Sequence, residues 1–128
     1  MKPELSLLVW SAALAFVQVL VVVQGALMQV GLMTLVGNRE NMPVLTGWAG
    51  RAERAHRNMV HNLLLFSALV LAAAAAGKTN EMTLLGAQLF FWARLAYAVL
   101  YIAGIPWLRT GAWAVSVIGM VLIFAQLV

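Results

Sequence analysis

From Leu5 to Val36 the chain is apolar at almost every position, broken by the polar side chains Ser11, Gln18, Gln24, Gln29 and Thr34, with Ser6 at its very start. Three further apolar runs follow, over 52–76, 82–105 and 112–128. A hydrocarbon core of about 30 Å needs about 20 helical residues at 1.5 Å per residue. The pattern therefore predicts four membrane-spanning α-helices over approximately 5–36, 52–76, 82–105 and 112–128, the last barely long enough at 17 residues. Between them lie short breaks: GNRENMPVLTGWAG at 37–50, Gly77 followed by KTNE, and a tight connection at 107–111 after Gly104 and Pro106. The second helix is expected to begin near Arg51. Short connections between antiparallel spans give an all-α, up-down four-helix bundle in a single membrane domain, 1–128. Gln18 and Gln29, three helical turns apart, share a face that suits packing against a neighbouring helix. Five consecutive alanines at 72–76 suggest a close-packing face.

Composition narrows the class. The chain is 64% hydrophobic and 9% charged, with a mean hydropathy of +0.95, whereas a soluble domain carries about a quarter charged residues. Its apolar start is too long for the core of a signal peptide. No cysteine is present, which excludes disulfides, thiolate metal sites and Cys-pair redox chemistry. The net charge of +4 first reports topology and contact with membrane lipids rather than nucleic acid. Arg39, Arg51, Arg54, Arg57 and Arg109 fall at one end of the predicted bundle, with Lys2 and Lys78 at the other. The positive-inside rule puts the arginine end in the cytoplasm and both termini outside, in an inner or plasma membrane.

One stretch departs from this economy of polar groups. RAERAHRNMVHN, residues 51–62, feeds directly into an apolar span, and polar groups entering a bilayer are costly unless they serve a site. Arg51, Arg54, Asn58 and His61 recur at helical spacing and define a stripe, with Arg57 beside it and His56 turned away. On the third span Arg94, Tyr97 and Tyr101 define another. If the two stripes face each other, with Arg109 at the same end, they enclose guanidinium forks, phenols and an amide but no carboxylate. That inventory suits an anionic ligand bearing carboxylates. Plainer roles compete: Arg51 and Arg54 as topology anchors or partners of Glu53 or Glu40, Tyr97 and Tyr101 as packing, His61 as a hydrogen-bonded imidazole. Arg94 is harder to set aside. It lies roughly 18 Å above the cytoplasmic end of its span, where an unpaired arginine costs at least about 2.5–3.5 kcal/mol. His56 and His61 lie on different faces of one helix, so neither a metal site nor bis-histidine haem is expected. Proton-coupled multidrug export is disfavoured too, since the only acid near the first span is Glu4 at its edge.

RAERAHRNMVHN with its following apolar span, and FFWARLAYAVLYIAGIPWLRT later in the chain, resemble the second-helix and third-to-fourth-helix signatures of the MAPEG family (membrane-associated proteins in eicosanoid and glutathione metabolism), in a member of bacterial type. The resemblance implies a homotrimer that binds glutathione between neighbouring subunits near the cytoplasmic side. It implies a glutathione-dependent transferase or peroxidase acting on a small lipophilic electrophile from the bilayer. Arg57 and Asn58 match the family's Arg-Asn pair, and Arg94 its third-helix arginine, with Tyr97 on the same face. Tyr101 matches the tyrosine that contacts glutathione, Arg109 and Thr110 the pair placed near the thiol, and Arg39 a first-helix arginine. Arg109, Thr110 and Tyr101 are thereby the expected catalytic residues; Arg39, Arg57, Asn58, His61, Arg94 and Tyr97 are expected to hold glutathione, with no metal. His61 stands where the family has glutamate, Leu64 where it has proline, and the turn before Arg109 is a residue shorter. A glutamate would accept from the glutathione ammonium and neutralise Arg94; histidine offers one acceptor nitrogen when neutral and none when protonated. A second function therefore stays open: a non-catalytic membrane trimer whose arginine pocket binds an anionic lipid or fatty acid.

Overall fold

The computed structural model describes residues 1–40 and 42–128; Asn41, within the predicted 37–50 loop, lies outside the described residues. The described chain is all-helical: α1 (Pro3–Val30), α2 (Leu32–Val36), α3 (Gly47–Ala76), α4 (Glu81–Ala103) and α5 (Pro106–Leu127). Of these, α1, α3, α4 and α5 are long and apolar enough to cross a membrane. The protein is an integral membrane four-helix bundle.

Three boundaries differ from the sequence expectation, each for a local reason. The first span is not continuous to Val36, because Gly31 takes φ +83° with an extended ψ of 161° and breaks it into α1 and the short α2. That backbone region strongly favours glycine. The second span starts at Gly47 rather than near Arg51, since Thr46 is already the extended N-cap. Pro106 does not merely end the third span. It occupies the first turn of α5, where its missing N–H costs nothing. The predicted 107–111 connection is therefore helical, the fourth span has 22 residues, and Gly104 and Ile105 alone separate the two helices.

Hydrogen bonds at the ends fix the up-down order. Lys2 Nζ donates to Thr79 Oγ1 at 3.0 Å, Asn80 Nδ2 to Gln126 Oε1 at 2.8 Å and Lys78 Nζ to the Leu127 carbonyl at 3.3 Å, so both termini and the α3–α4 turn share one end. Gly77 closes α3 in the left-handed conformation, and Asn80 with Thr83 forms a capping box on α4. Glu4 is buried there and accepts from Thr83 Oγ1 at 2.6 Å.

At the opposite end Gln29 behaves differently from Gln18. Gln18 is buried, whereas the Gln29 amide donates to the Thr46 carbonyl at 2.8 Å and accepts from its N–H at 3.0 Å, tying the loop to α1. Only Ala73 of the five alanines is fully buried. The interior is centred on Phe66 and Phe90, stacked at 3.9 Å between centroids, with Met59, Val70 and Ile123 around them.

Arg51 has a structural partner that sequence did not suggest. Its Nε donates to the Ile102 carbonyl at 2.9 Å, and its guanidinium lies against Gly104, the left-handed cap of α4. A cation there satisfies one of the four carbonyls a helix leaves open and complements the negative end of its dipole. Replacing Arg51 with alanine is expected to destabilise the bundle by about 1–2 kcal/mol, read as a lower midpoint in detergent denaturation of the purified protein.

Candidate functional site

The first two turns of α5, the fourth turn of α3 and the last two turns of α4 meet around a cavity of about 200 Å³ lined by Asn58, Tyr97, Arg109, Thr110 and Trp113. Three helices thus supply its walls. α3 brings Asn58, α4 brings Tyr97, and α5 brings a helical run in which Arg109 and Trp113, four residues apart, share a face. Trp113 was not singled out from sequence, because the 107–111 segment was read as a turn; read as helix, the spacing points to it.

Aromatic rings and guanidinium groups alternate beside this cavity. Arg109 Cζ lies 4.2 Å from the centroid of the Tyr101 ring, and Arg54 Nε donates to the Tyr101 hydroxyl at 3.3 Å. Tyr97 and Tyr101 lie 5.5 Å apart between centroids, and Arg94 Cζ lies 4.2 Å from the Tyr97 ring. Each ring presents its electron-rich face to a cation. The Tyr101 oxygen accepts, so its proton remains available to donate. The Thr110 hydroxyl instead donates to the Pro106 carbonyl at 3.1 Å, leaving only its lone pairs toward a ligand.

Arg94 stands behind this wall rather than in it. It is 1% exposed and donates from Nη2 to Asn58 Oδ1 at 2.8 Å, while Nε and Nη1 have no partner. Among the described residues no carboxylate pairs with it: the one side-chain ion pair is between Arg57 and Glu53, four apart on the exposed surface of α3. Glu53 therefore serves Arg57 rather than Arg51 or Arg54. A buried guanidinium without a counter-ion leaves a positive field in a medium that screens it weakly.

Not all the expected site residues converge within one chain. Asn58, Tyr97, Arg109 and Thr110 line the cavity, with Tyr101 and Arg54 adjoining it and Arg94 supporting Asn58 and Tyr97. Arg57 and His61 lie on the exposed side of α3. Arg39 lines a separate cavity of about 550 Å³ between α1, α2, the following segment and Glu53 of α3, and its Nε donates to the Leu35 carbonyl at 2.7 Å. Asn62 is the polar residue that α3 turns inward one position after His61: it is buried and bonded to Asn58. No group of three or more metal-ligating side chains is found among the described residues.

Comparison with curated proteins and with solved structures returns no match. A family model does match: that of the MAPEG family, over residues 7–128. The match takes in all but the first four residues of α1, the whole of α3, α4 and α5 and every residue of the cavity wall, and the chain belongs to the MAPEG family.

Proposed function

We propose that this protein is a glutathione-dependent transferase or peroxidase acting on small lipophilic electrophiles that enter from the bilayer. The observation that carries the reading is the charge imbalance of the cavity. Arg109 lines it, Arg54 adjoins it, Arg94 is buried behind it, and among the described residues no carboxylate pairs with any of the three. Such a site is completed by an anion, and the forked geometry of arginine suits the carboxylates of a peptide-like ligand.

In this reading Asn58 and the surrounding guanidinium groups hold the peptide while Arg109 stands near the sulfur. The thiol, with an ordinary pKa of about 8.5, gives its proton to water. Arg109 and a hydrogen bond from Tyr101 favour the thiolate left behind. Sulfur then attacks the electrophilic carbon, forming the C–S bond as the leaving group departs with its electron pair. With a hydroperoxide, the thiolate attacks the terminal oxygen and forms an S–O bond. The O–O bond breaks as the alkoxide leaves to take a proton from water. A second glutathione thiol then attacks the sulfenic acid, giving glutathione disulfide and water.

The same proposal includes a homotrimer, with the arginine end in the cytoplasm and both termini outside, in an inner or plasma membrane. Its support is the exposed face of α3, where Arg57 and His61 accompany Leu64, Leu65 and Ala68. Charged and imidazole groups within a span belong against protein or a water-filled cavity, not lipid. A second copy covering this face would bring Arg57 and His61 to a shared site and leave Arg39 available to a neighbour's cavity.

Titration calorimetry of the purified protein with millimolar glutathione is expected to show binding, and a generic aryl halide to be conjugated. Absence of both, with native mass spectrometry showing a retained anionic lipid that glutathione does not displace, would instead favour the non-catalytic lipid-binding reading.

A further inference from the structure

The amide of Asn58 has only one orientation that its neighbours accept. Its Oδ1 receives two hydrogen bonds, from Arg94 Nη2 at 2.8 Å and from Asn62 Nδ2 at 3.1 Å. An amide oxygen has two lone pairs, and both are used. Turning the amide over would set its NH2 against two donors, one of them a buried guanidinium. Asn62 is fixed in turn, because its Nδ2 also donates to the Asn58 backbone carbonyl at 2.9 Å. Reversing Asn62 would place its oxygen against that carbonyl and against Asn58 Oδ1. Each amide thus locks the other, and the only group Asn58 has left to offer is its NH2. Asn58 is half-buried and lines the cavity.

We propose that Asn62 is a positioning residue that holds the Asn58 NH2 toward the cavity and so makes the cavity select a carboxylate over a carboxamide. The ligand class rests on the reading of the cavity as a glutathione site; the orientation of Asn58 does not. Asn62 is itself 9% exposed, sits under Asn58 on the inward face of α3, and is not part of the cavity lining. It acts through its neighbour. Arg109 also lines the cavity and the Thr110 oxygen is the one acceptor set against these donors. An acceptor-only carboxylate therefore satisfies more of them than a carboxamide, which replaces one acceptor oxygen with two donors. Without Asn62, Arg94 alone holds the Asn58 oxygen, one of the two hydrogen bonds that set the amide is gone, and the preference for this orientation weakens.

The test has two arms on the full-length protein in lipid nanodiscs. Side-chain amide exchange by NMR, with no ligand present, is expected to show slow exchange at Asn62 and fast exchange at Asn58. Slow exchange at Asn58 with fast exchange at Asn62 overturns the orientation. In the second arm, glutathione and its monoamides are compared in wild type, Asn62→Leu and Asn62→Asp. Leucine removes the donor at similar volume, and aspartate substitutes acceptors that draw the Asn58 NH2 away from the cavity. Wild type is expected to prefer glutathione over at least one monoamide by about tenfold, with the preference reduced in Asn62→Leu, where Arg94 alone still holds the Asn58 oxygen, and reversed in Asn62→Asp. Equal loss of all ligands in both variants would make Asn62 a structural residue and overturn the proposal. If wild type binds neither glutathione nor amide, the carboxylate selection and the glutathione reading both fail, and the exchange arm still decides the orientation of Asn58.

Discussion

Replacing Arg109 with glutamine should slow glutathione conjugation about 30-fold at neutral pH while leaving the fold intact. A guanidinium beside the sulfur that lowers its pKa by two units contributes about 2.7 kcal/mol of differential stabilisation, within reach of one close charge in a partly dry cavity. Removing it returns the thiol to about 8.5, with only a few per cent thiolate at pH 7. The ultraviolet absorbance of the bound thiolate, titrated against pH, should move up by about two units in parallel with the rate. Stability offers the contrasting readout. Arg109 lies near the N-terminus of α5, where a cation opposes the helix dipole by about 0.3–1 kcal/mol. Its stacking on Tyr101 returns about 0.5–1 kcal/mol. The two nearly cancel, so the unfolding midpoint should barely change. A charge kept where it does not help the helix is best explained by what it does to a ligand. An unaltered thiolate titration in the variant would remove Arg109 from the chemistry.

The bundle was legible from hydropathy because its spans contrast with their polar breaks, but the inward face of each helix was not. In a bilayer the lipid is as apolar as the core, so no hydrophobic contrast marks the packed side. On α3 the buried stripe runs through Ala52, Ala55, Met59, Asn62, Phe66, Val70 and Ala73, and most of its members look no different from the lipid-facing leucines. The polar stripe read from sequence, through Arg51, Arg54, Asn58 and His61, lies one residue away from it, about 100° around the helix. That offset splits the stripe. Arg51 goes to the α4 cap, Arg54 to Tyr101 and Asn58 to the cavity, while His61 stays outside and Asn62 takes the interior place. The available signal was the pair Asn58 and Asn62, four apart where the polar stretch enters the apolar span, since two amides stacked on one face can satisfy each other. Arg94 was legible for the opposite reason: a charge that deep in a span has few alternatives. The break at Gly31 and the helical start at Pro106 depend on backbone conformation, for which glycine and proline are permissive at more than one position.

The largest structural effect is expected at Gly119. α4 and α5 are the most closely packed pair in the bundle, and Gly86 and Gly119 meet backbone to backbone between them. A Cβ on Gly119 would lie 2.5 Å from the Gly86 carbonyl oxygen and 3.0 Å from the Phe90 amide nitrogen. Both are main-chain atoms of a helix and cannot swing aside, so the helices must separate. Van der Waals packing is the principal force holding helices together in lipid, and separation forfeits it along the whole seam. Gly119→Ala should therefore cost about 3 kcal/mol or more, at the upper end of overpacking effects, and Gly119→Leu should prevent the α4–α5 pair from forming. Glutathione binding should be lost with it, because Tyr97 and Tyr101 ride on α4 while Arg109, Thr110 and Trp113 ride on α5. Gly111 provides the control on the same helix. A Cβ there meets nothing within 4 Å, so Gly111→Ala should stabilise the protein by about 1 kcal/mol through helix propensity alone. Detergent-denaturation midpoints that shift in opposite directions for the two alanine variants would establish the Gly86–Gly119 contact as the seam on which the cavity depends. Equal, small shifts would show that α4 and α5 are held by their side chains instead.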